Sequence, residues 1–259
     1  MLRTREGRRV SFARALAFQR ETVQLVAERV SEVPEGWLIR TPSLPLVWSL
    51  NQLRVIGPIE ADDAVALAET HLGELPYRQL MIEHEASGRR LERALGRQGW
   101  RVDREVTMRL ARGPDREVDL SAVVDPSPQA VLELMTRWMR EGSAHRPSAQ
   151  EERELARSWQ LEWRARNVRL FGIVGRSGEL AAITLLYSDG VIAQVEDVYT
   201  VPEERGHGFA RALVTQAIKL AAEGGHELTF IVADDRGWPK ELYGRLGFEP
   251  VGRIWSFHR

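Results

Sequence analysis

The feature that most constrains this chain is the segment 195–211, which reads VEDVYTVPEERGHGFAR. It predicts a strand, then a glycine-containing turn, then a helix that begins near Gly208. Gly206 and Gly208 permit backbone conformations and close approaches that a Cβ would obstruct. Free backbone N–H groups and the positive end of the dipole at such a helix start suit a phosphate or pyrophosphate. The segment therefore predicts an anion-binding cradle, with Arg205 and Arg211 adding positive charge around it.

Two well-known phosphate-binding motifs are excluded at this turn. The sequence has no G-x-x-x-x-G-K-[ST], so the turn is not a P-loop. The third glycine position of a dinucleotide-binding fingerprint does not fit, and no clean βαβ setting surrounds the turn. Taken alone, the turn is also compatible with a strand-to-helix connection that binds nothing.

Composition limits the partners of the chain. Its 259 residues carry a formal net charge of −1 and include no cysteine. Near-neutral charge gives no general reason to expect nucleic acid or an anionic membrane as partner, and the apolar stretches are too short for a membrane span. Without cysteine, disulfides and thiolate catalysis are excluded, which favours a reducing cytoplasm. Only Lys219 and Lys240 are lysines, against many arginines, a bias typical of GC-rich bacterial genomes.

The rest of the chain predicts a mixture of helices and strands around a sheet. Periodicity and turn residues predict helices at 12–30, 61–71, 88–98, 128–140, 150–166, 209–224 and 239–246, and strands at 37–40, 46–56, 79–83, 100–111, 118–123, 168–175, 180–187, 191–201, 228–233 and 248–257. The sequence Gly-Pro-Asp at 113–115 supplies a turn between two domains, at 1–112 and 117–259.

A short internal similarity supports two related domains. The sequence ALGRQGW at 94–100 can be laid over LYGRLGF at 242–248, with the two glycines, the arginine and the closing aromatic matching in type. Each copy lies between a predicted short helix and a predicted strand. The agreement of order and context favours two related domains in tandem.

The two motifs of the second domain resemble those of the GNAT superfamily of acetyl-CoA-dependent N-acetyltransferases. The sequence RGHGFA at 205–210 resembles the signature [Q/R]-x-x-G-x-[G/A], and YGRLGF at 243–248 resembles the signature Y-x-x-x-G-F. The resemblance covers 168–259 well. It implies an α/β fold with two tandem domains, each a mostly antiparallel twisted sheet flanked by helices, and a splayed strand pair in the second domain.

The resemblance also implies where acetyl-CoA binds. The main chain of Val198 and Thr200 is expected to pair with the pantetheine arm. The pyrophosphate is expected at the amides that follow Arg205. The cofactor-binding set is therefore Val198, Tyr199, Thr200, Arg205, Gly206, His207, Gly208, Phe209, Ala210 and Arg211. The family often has asparagine seven residues before the signature tyrosine, where this chain has Arg236, which puts that one contact in doubt.

Two residues are candidates for the chemistry of acyl transfer to an amine. By the resemblance, Tyr243 is the acid that donates a proton to the leaving thiolate; the alternative is an aromatic packing residue. Glu196 is the candidate base or ammonium anchor, since two-residue alternation places it on one face with Val198 and turns Asp197 away. A salt-bridged Glu196, with water relaying the proton, is the alternative.

The predicted first domain lacks this chemistry, because Leu95 takes the place of Tyr243 and no matching cradle precedes it. Glu83-His84-Glu85 has no metal-ligand spacing, and no metal is expected. The sequence thus predicts an acetyl-CoA-dependent N-acetyltransferase that acts on a primary amine whose identity it does not reveal. The alternative is a non-catalytic acyl-CoA sensor.

Overall fold

The computed structural model describes residues 2–142 and 147–259, and the chain forms two compact units. Unit 1 comprises the chain up to Thr107 together with Ala233–Lys240 and Pro250–Arg259. Unit 2 comprises Met108–Val232 and Glu241–Glu249. The predicted domain boundaries, which are linear in sequence, remain a prediction.

Helices and strands follow one another along both units. Within the described residues the helices are α1 (Leu2–Val26), α2 (Ala61–Leu72), α3 (Glu85–Arg97), α4 (Pro128–Gly142), α5 (Ala149–Ala165), α6 (Phe209–Glu223) and α7 (Pro239–Arg245). The strands are β1 (Arg29–Val33), β2 (Gly36–Arg40), β3 (Gln52–Val55), β4 (Gln79–Ile82), β5 (Arg101–Leu110), β6 (Val123–Val124), β7 (Arg169–Val174), β8 (Leu180–Ser188), β9 (Ile192–Thr200), β10 (Leu228–Asp234) and β11 (Phe248–His258).

The sheet of unit 1 is mixed. Strand β2 pairs antiparallel with β1 and β3, β3 pairs parallel with β4, and β4 pairs antiparallel with β11. Helix α2 buries one face because Ala64, Ala68 and Leu72 recur every fourth residue. Helix α3 joins the same apolar core through Leu91 and Leu95. Both helices therefore cover the sheet of this unit.

The sheet of unit 2 is also mixed, and antiparallel in most of its pairs. Strands β6, β7, β8 and β9 run antiparallel in that order, and β9 pairs parallel with β10. Helix α6 packs on β8 and β9; Leu213, Ala217 and Ala221 recur every fourth residue along it and are fully buried. The predicted architecture of mixed sheets flanked by helices is confirmed.

The repeated joint is present in each unit with the same local geometry. Gly99 follows α3 and Gly247 follows α7, and their φ angles of 84° and 101° lie in a region that favours glycine. Each amide donates to the carbonyl of the glycine three residues earlier, at 3.2 Å in both cases. This agreement is in keeping with a tandem arrangement.

Several predicted elements differ from those observed. The first helix begins at Leu2 and ends at Val26, and Arg29–Val33 forms strand β1 rather than the end of that helix. Nearly all of β1 is exposed, so its pairing with β2 leaves no period-two apolar pattern in the sequence. A 3-10 helix at Trp48–Leu50 shortens the strand predicted at 46–56. Strand β6 has two residues, of which only Val123 lies in the region predicted at 118–123.

Candidate active site

The parallel pair β9–β10 opens before β9 ends. Its register runs from Ile192 opposite Leu228 to Val195 opposite Ile231, and no later pairing between these strands is present in the described chain. Strand β9 nevertheless continues to Thr200. The edge of β9 beyond Val195 is therefore not continued by β10, which leaves room for another extended chain to pair there. This opening is the splayed strand pair that the family resemblance implies.

A β-bulge lies in β9 at the same place. One residue of β8, Thr184, opposes two residues of β9, Asp197 and Val198. Asp197 has a φ of 53°, which is uncommon for a residue other than glycine. The bulge interrupts the two-residue alternation. Glu196 lies opposite Leu185 whereas Val198 lies opposite Thr184, so these two residues do not share one face as alternation predicts. The opposite orientation of Asp197 remains a prediction.

Tyr187 of β8 is influenced by both acids at the bulge. Tyr187 lies on β8 and is buried. Burial raises its pKa first, and the negative charges of Asp197, Glu162 and Glu196 raise it further. The carboxylates of Glu196 and Asp197 thus act on the same side chain. Both are close to the opening between β9 and β10.

Two of these carboxyl groups titrate near neutrality. Burial raises the pKa of Asp197 to about 6. Glu162 lies near the end of α5, and its pKa is raised to about 8, first by burial and then by the charge of Asp197. A hydrogen bond from Tyr187 to Glu162 lowers the pKa in part. Carboxyl groups with pKa values in this range can hold or release a proton under physiological conditions.

Sequence reasoning missed Glu162. It is one of several charged residues on α5, and nothing in its local pattern distinguishes it from residues of a solvated helix face. Its unusual pKa depends on Tyr187 and Asp197, which lie on other elements of the fold. Only the tertiary structure reveals that environment.

The start of α6 presents free backbone amides. Gly206 and Gly208 have φ angles of 85° and 82°, and α6 begins at Phe209 with no acidic residue in its first turn. The first amide with a helical partner is that of Ala212, which donates to the Gly208 carbonyl at 3.1 Å. In the described chain, none of the amides from Gly206 to Arg211 donates a hydrogen bond. These donors, together with the helix dipole, form a cradle for an anion.

The side chains around this cradle have other partners. Arg205 donates from Nε to the Thr200 carbonyl at 3.1 Å, and the His207 ring contacts the Glu204 carbonyl at 3.0 Å. Arg211 is buried and its guanidinium donates to Asp115 at 2.6 Å. That hydrogen bond is the main reason why the pKa of Asp115 is lowered. The charge of Arg211 is thus neutralised by Asp115, whereas its amide remains free.

Tyr199 contacts helix α4. Its ring stacks on Trp138 with 5.1 Å between ring centroids and 17° between planes, and its hydroxyl donates to Glu141. Burial, followed by the hydrogen bond to Glu141, raises the pKa of this hydroxyl. The side chain of Tyr199 therefore holds β9 against α4, and only its main chain is available to a ligand.

Tyr243 is the buried aromatic of α7. It is 6% exposed, and its ring meets that of Phe248 edge-on with 6.4 Å between centroids. Burial raises its pKa first, and the negative charge of Glu196 raises it further. The structure thus places the two predicted catalytic residues, Tyr243 and Glu196, close enough to interact electrostatically. The hydroxyl of Tyr243 makes no hydrogen bond to any described residue.

Arg236, at the position where the family often has asparagine, donates to Glu92. Among the described residues, no group of three or more histidine, aspartate or glutamate side chains could hold a metal ion. In residues 2–142 and 147–259 no helix combines the length and the apolar character needed to cross a membrane.

The opened strand pair and the free helix start define a class of site. Main-chain groups on β9 can pair with an extended chain, and the free amides at the start of α6 can accept an anionic group. Residues 130–248 match the model of the acetyltransferase (GNAT) family. The chain therefore carries an acetyltransferase (GNAT) domain at residues 130–248.

Solved structures share this fold across nearly the whole chain. A conserved protein of unknown function from Staphylococcus epidermidis is 12% identical, with a TM-score of 0.64 over 91% of this chain and 94% of its own. A GCN5-related N-acetyltransferase from Kribbella flavida is 16% identical, with a TM-score of 0.60 over 96% and 95%. Another from Sphaerobacter thermophilus is 18% identical, with a TM-score of 0.52 over 80% and 72%. No curated protein matches the sequence.

Proposed function

We propose that this chain transfers the acetyl group of acetyl-CoA to a primary amine of a small molecule, peptide or protein, by direct attack of the amine on the thioester. The observation that carries the proposal is the run of free amides from Gly206 to Arg211 at the start of α6. A diphosphate is the group that such a helix start suits best. The opening between β9 and β10 lies in the same unit and suits an extended arm.

The residues present fit coenzyme A. The amides from Gly206 to Arg211 would hold the pyrophosphate, and the main chain of Val198 and Thr200 would pair with the pantetheine arm. The hydroxyl of Thr200 is buried and has no hydrogen-bond partner among the described residues. A buried hydroxyl without a partner is destabilising. A ligand amide in this opening would satisfy it.

Glu196 and Asp197 would receive the acceptor. Their carboxylates, next to Glu162, create a negative region that attracts a protonated amine. Attack requires the neutral amine, so a proton must leave the ammonium. Glu196 would take that proton directly or through water. The amide of Val198 would polarise the acetyl carbonyl as the oxyanion develops.

Tyr243 would protonate the departing sulfur. Its raised pKa keeps the phenol protonated at neutral pH, so it can donate when the thiolate forms. The charge of Glu196 contributes to that raised pKa. When Glu196 takes a proton from the amine, this contribution disappears and Tyr243 becomes the stronger acid. The two proton transfers would thus support each other.

Coenzyme A binding to a matched pair of variants tests the cradle. Asparagine and aspartate both tolerate the positive φ at Gly206, but only Gly206→Asp places a negative charge beside the diphosphate. By calorimetry, we expect Gly206→Asp to weaken binding by roughly tenfold or more relative to Gly206→Asn, because the carboxylate repels the phosphates. Equal affinity in the two variants would contradict a diphosphate at this turn.

Turnover separates an enzyme from a sensor. Release of coenzyme A should accelerate when wild-type protein is mixed with acetyl-CoA and one member of an amine panel that includes polyamines and peptide N-termini. If acetyl-CoA binds but no amine accelerates its release, the chain is an acyl-CoA sensor. If acetyl-CoA does not bind, both interpretations are wrong.

A further inference from the structure

Unit 1 contains a cavity of about 870 Å³ that the proposed acetyl transfer does not use. We call it the arginine cavity, because six of its lining residues are arginines and only two are acids; the arginines are Arg89, Arg90, Arg93, Arg97, Arg104 and Arg253. Its volume is that of a site for a small molecule. The nearly neutral charge of the whole chain makes this local excess of positive charge a feature of the cavity itself.

The two acids of the cavity are already neutralised. Glu92 accepts hydrogen bonds from Trp255 at 2.9 Å and from Arg236. Burial alone would raise the pKa of Glu92, but these hydrogen bonds have the larger combined effect and lower it. Asp235 pairs with Arg104 at 2.8 Å and with Arg253 at 2.9 Å. Both acids therefore stay ionised and hold arginines in place. They do not cancel the remaining positive charge.

Several arginines keep donors for a ligand. Arg253 uses Nε for Asp235, and its two terminal nitrogens have no acceptor among the described residues. Arg97 donates only to the carbonyl of Arg93, and Arg93 has no ion pair in residues 2–142 and 147–259. Arg89 and Arg90 have exposed partners, Glu85 and Glu60, in pairs that hold weakly in water.

The arrangement on α3 points to an anion with more than one charged group. Arg89, Arg93 and Arg97 follow each other at intervals of four residues, so they share one face of the helix and repel each other. The row spans about 12 Å, given the rise of an α-helix. A single small anion cannot neutralise the whole row. A ligand with two or more anionic groups can do so.

We infer that the arginine cavity binds a small phosphorylated molecule with at least two phosphate groups. Guanidinium groups donate paired N–H bonds whose geometry matches phosphate oxygens. The acids that fix Arg104 and Arg253 orient two of these groups before a ligand arrives. This inference does not depend on the proposed acetyl transfer, because every residue involved belongs to unit 1.

The test is calorimetric titration with tripolyphosphate, using the full chain with Gly206→Asp so that the cradle of α6 does not compete. Saturable binding that weakens as salt is added is expected. In that background, Arg93→Gln with Arg97→Gln should reduce the affinity by roughly tenfold or more, since two charge-assisted contacts are lost. The melting temperature should not fall, because the substitutions relieve repulsion on α3.

The matched control is Arg153→Gln with Arg157→Gln. These arginines are exposed, lie four residues apart on α5 and have no ion pair in the part of the chain that the structure describes. The control makes the same change in net charge, and the affinity should stay within about twofold of the parent. An equal loss in both pairs, or no saturable binding at all, would overturn the inference. So would tighter binding of a hexa-aspartate peptide than of tripolyphosphate, which would indicate an acidic protein partner instead.

Discussion

Each unit contains two parallel strands joined by a helix. The expectation that no βαβ setting surrounds the glycine turn is wrong, because β9, α6 and β10 form one. The two units differ at the point where the first strand ends. In unit 1, β3 pairs with β4 up to its last residue, Val55, and the Glu83 amide donates to the Val55 carbonyl at 2.9 Å. In unit 2, the ladder of β9 and β10 stops at Val195 while β9 continues to Thr200. The first pair is closed and the second is open.

The start of α2 in unit 1 is less suited to an anion than the start of α6 in unit 2. Before α2, Pro58 has no N–H, and the Ile59 amide donates to the hydroxyl of Ser87 at 3.0 Å. Asp62 and Asp63 occupy the first turn of α2 and repel anions. Before α6, the amides are free and the first turn has no acid. The same supersecondary unit is therefore closed in unit 1 and open in unit 2 through differences at a few residues.

A buried ion pair helps to keep unit 1 closed. Arg54 on β3 donates from Nε to Glu83, which follows β4, at 2.6 Å, and both side chains are almost fully buried. Arg20 also donates to Glu83, at 3.0 Å. This pair joins the two strands at the end where the corresponding strands of unit 2 separate.

The largest expected effect comes from breaking that pair. Glu83→Gln leaves the Arg54 charge buried without its counterion, which costs about 3–5 kcal/mol. Guanidinium unfolding should show this loss, and hydrogen exchange should accelerate in β3 and β4. The control is Glu69→Gln, which removes an ion pair with Arg78 that is half exposed on the acid side; exposed pairs contribute about 0–1 kcal/mol. Equal losses in the two variants would show that burial of the Arg54–Glu83 pair does not matter.

The next effect concerns the chemistry that is proposed for unit 2 alone. Leu95 of unit 1, the counterpart of Tyr243 in the repeated joint, is fully buried in an apolar core. Tyr243→Phe keeps the ring against Phe248 and removes only the hydroxyl. We expect kcat to fall by about 10²-fold, the lower end for loss of a general acid, with little change in KM for acetyl-CoA. An unchanged kcat would make Tyr243 a packing residue, as Leu95 is.

A smaller effect tests the hydrogen bond that the Ile59 amide makes just before α2. Ser87→Ala removes the hydroxyl that accepts from the Ile59 amide and leaves a buried N–H without that partner. The loss should be about 1–3 kcal/mol, seen as a fall in melting temperature with no gain in coenzyme A binding. Ser177→Ala, in an exposed turn, should change the melting temperature much less. A variant at Ser87 as stable as wild type would show that the amide finds another acceptor.

The features that the sequence predicts are local ones. Gly206 and Gly208 adopt positive φ angles, as the local glycine pattern predicts. The opening of β9 from β10 depends on strands more than 30 residues apart, and the bulge at Asp197 depends on the register with β8. Both features depend on how strands pair, and the periodicity of residues along a single strand carries no information about pairing. The prediction that Glu196 and Val198 share one face fails for that reason.

Glu162 is the member of the unit 2 site with the weakest sequence signal, and its titration gives the last test. Its pKa rises from the usual 4.5 to about 8, mainly through burial. The folded chain therefore keeps this proton to higher pH than the unfolded chain. The stabilisation is complete below the ordinary pKa and is lost as the pH rises through about 8.

The melting temperature of Glu162→Gln should be close to that of wild type at low pH and higher at alkaline pH. The melting temperature of Glu179→Gln, in an exposed turn, should differ from that of wild type by the same amount at every pH. If the difference in melting temperature between Glu162→Gln and wild type did not depend on pH, Glu162 would titrate like an exposed acid. The negative region beside Asp197 in unit 2 would then be solvated, like the acidic first turn of α2 in unit 1.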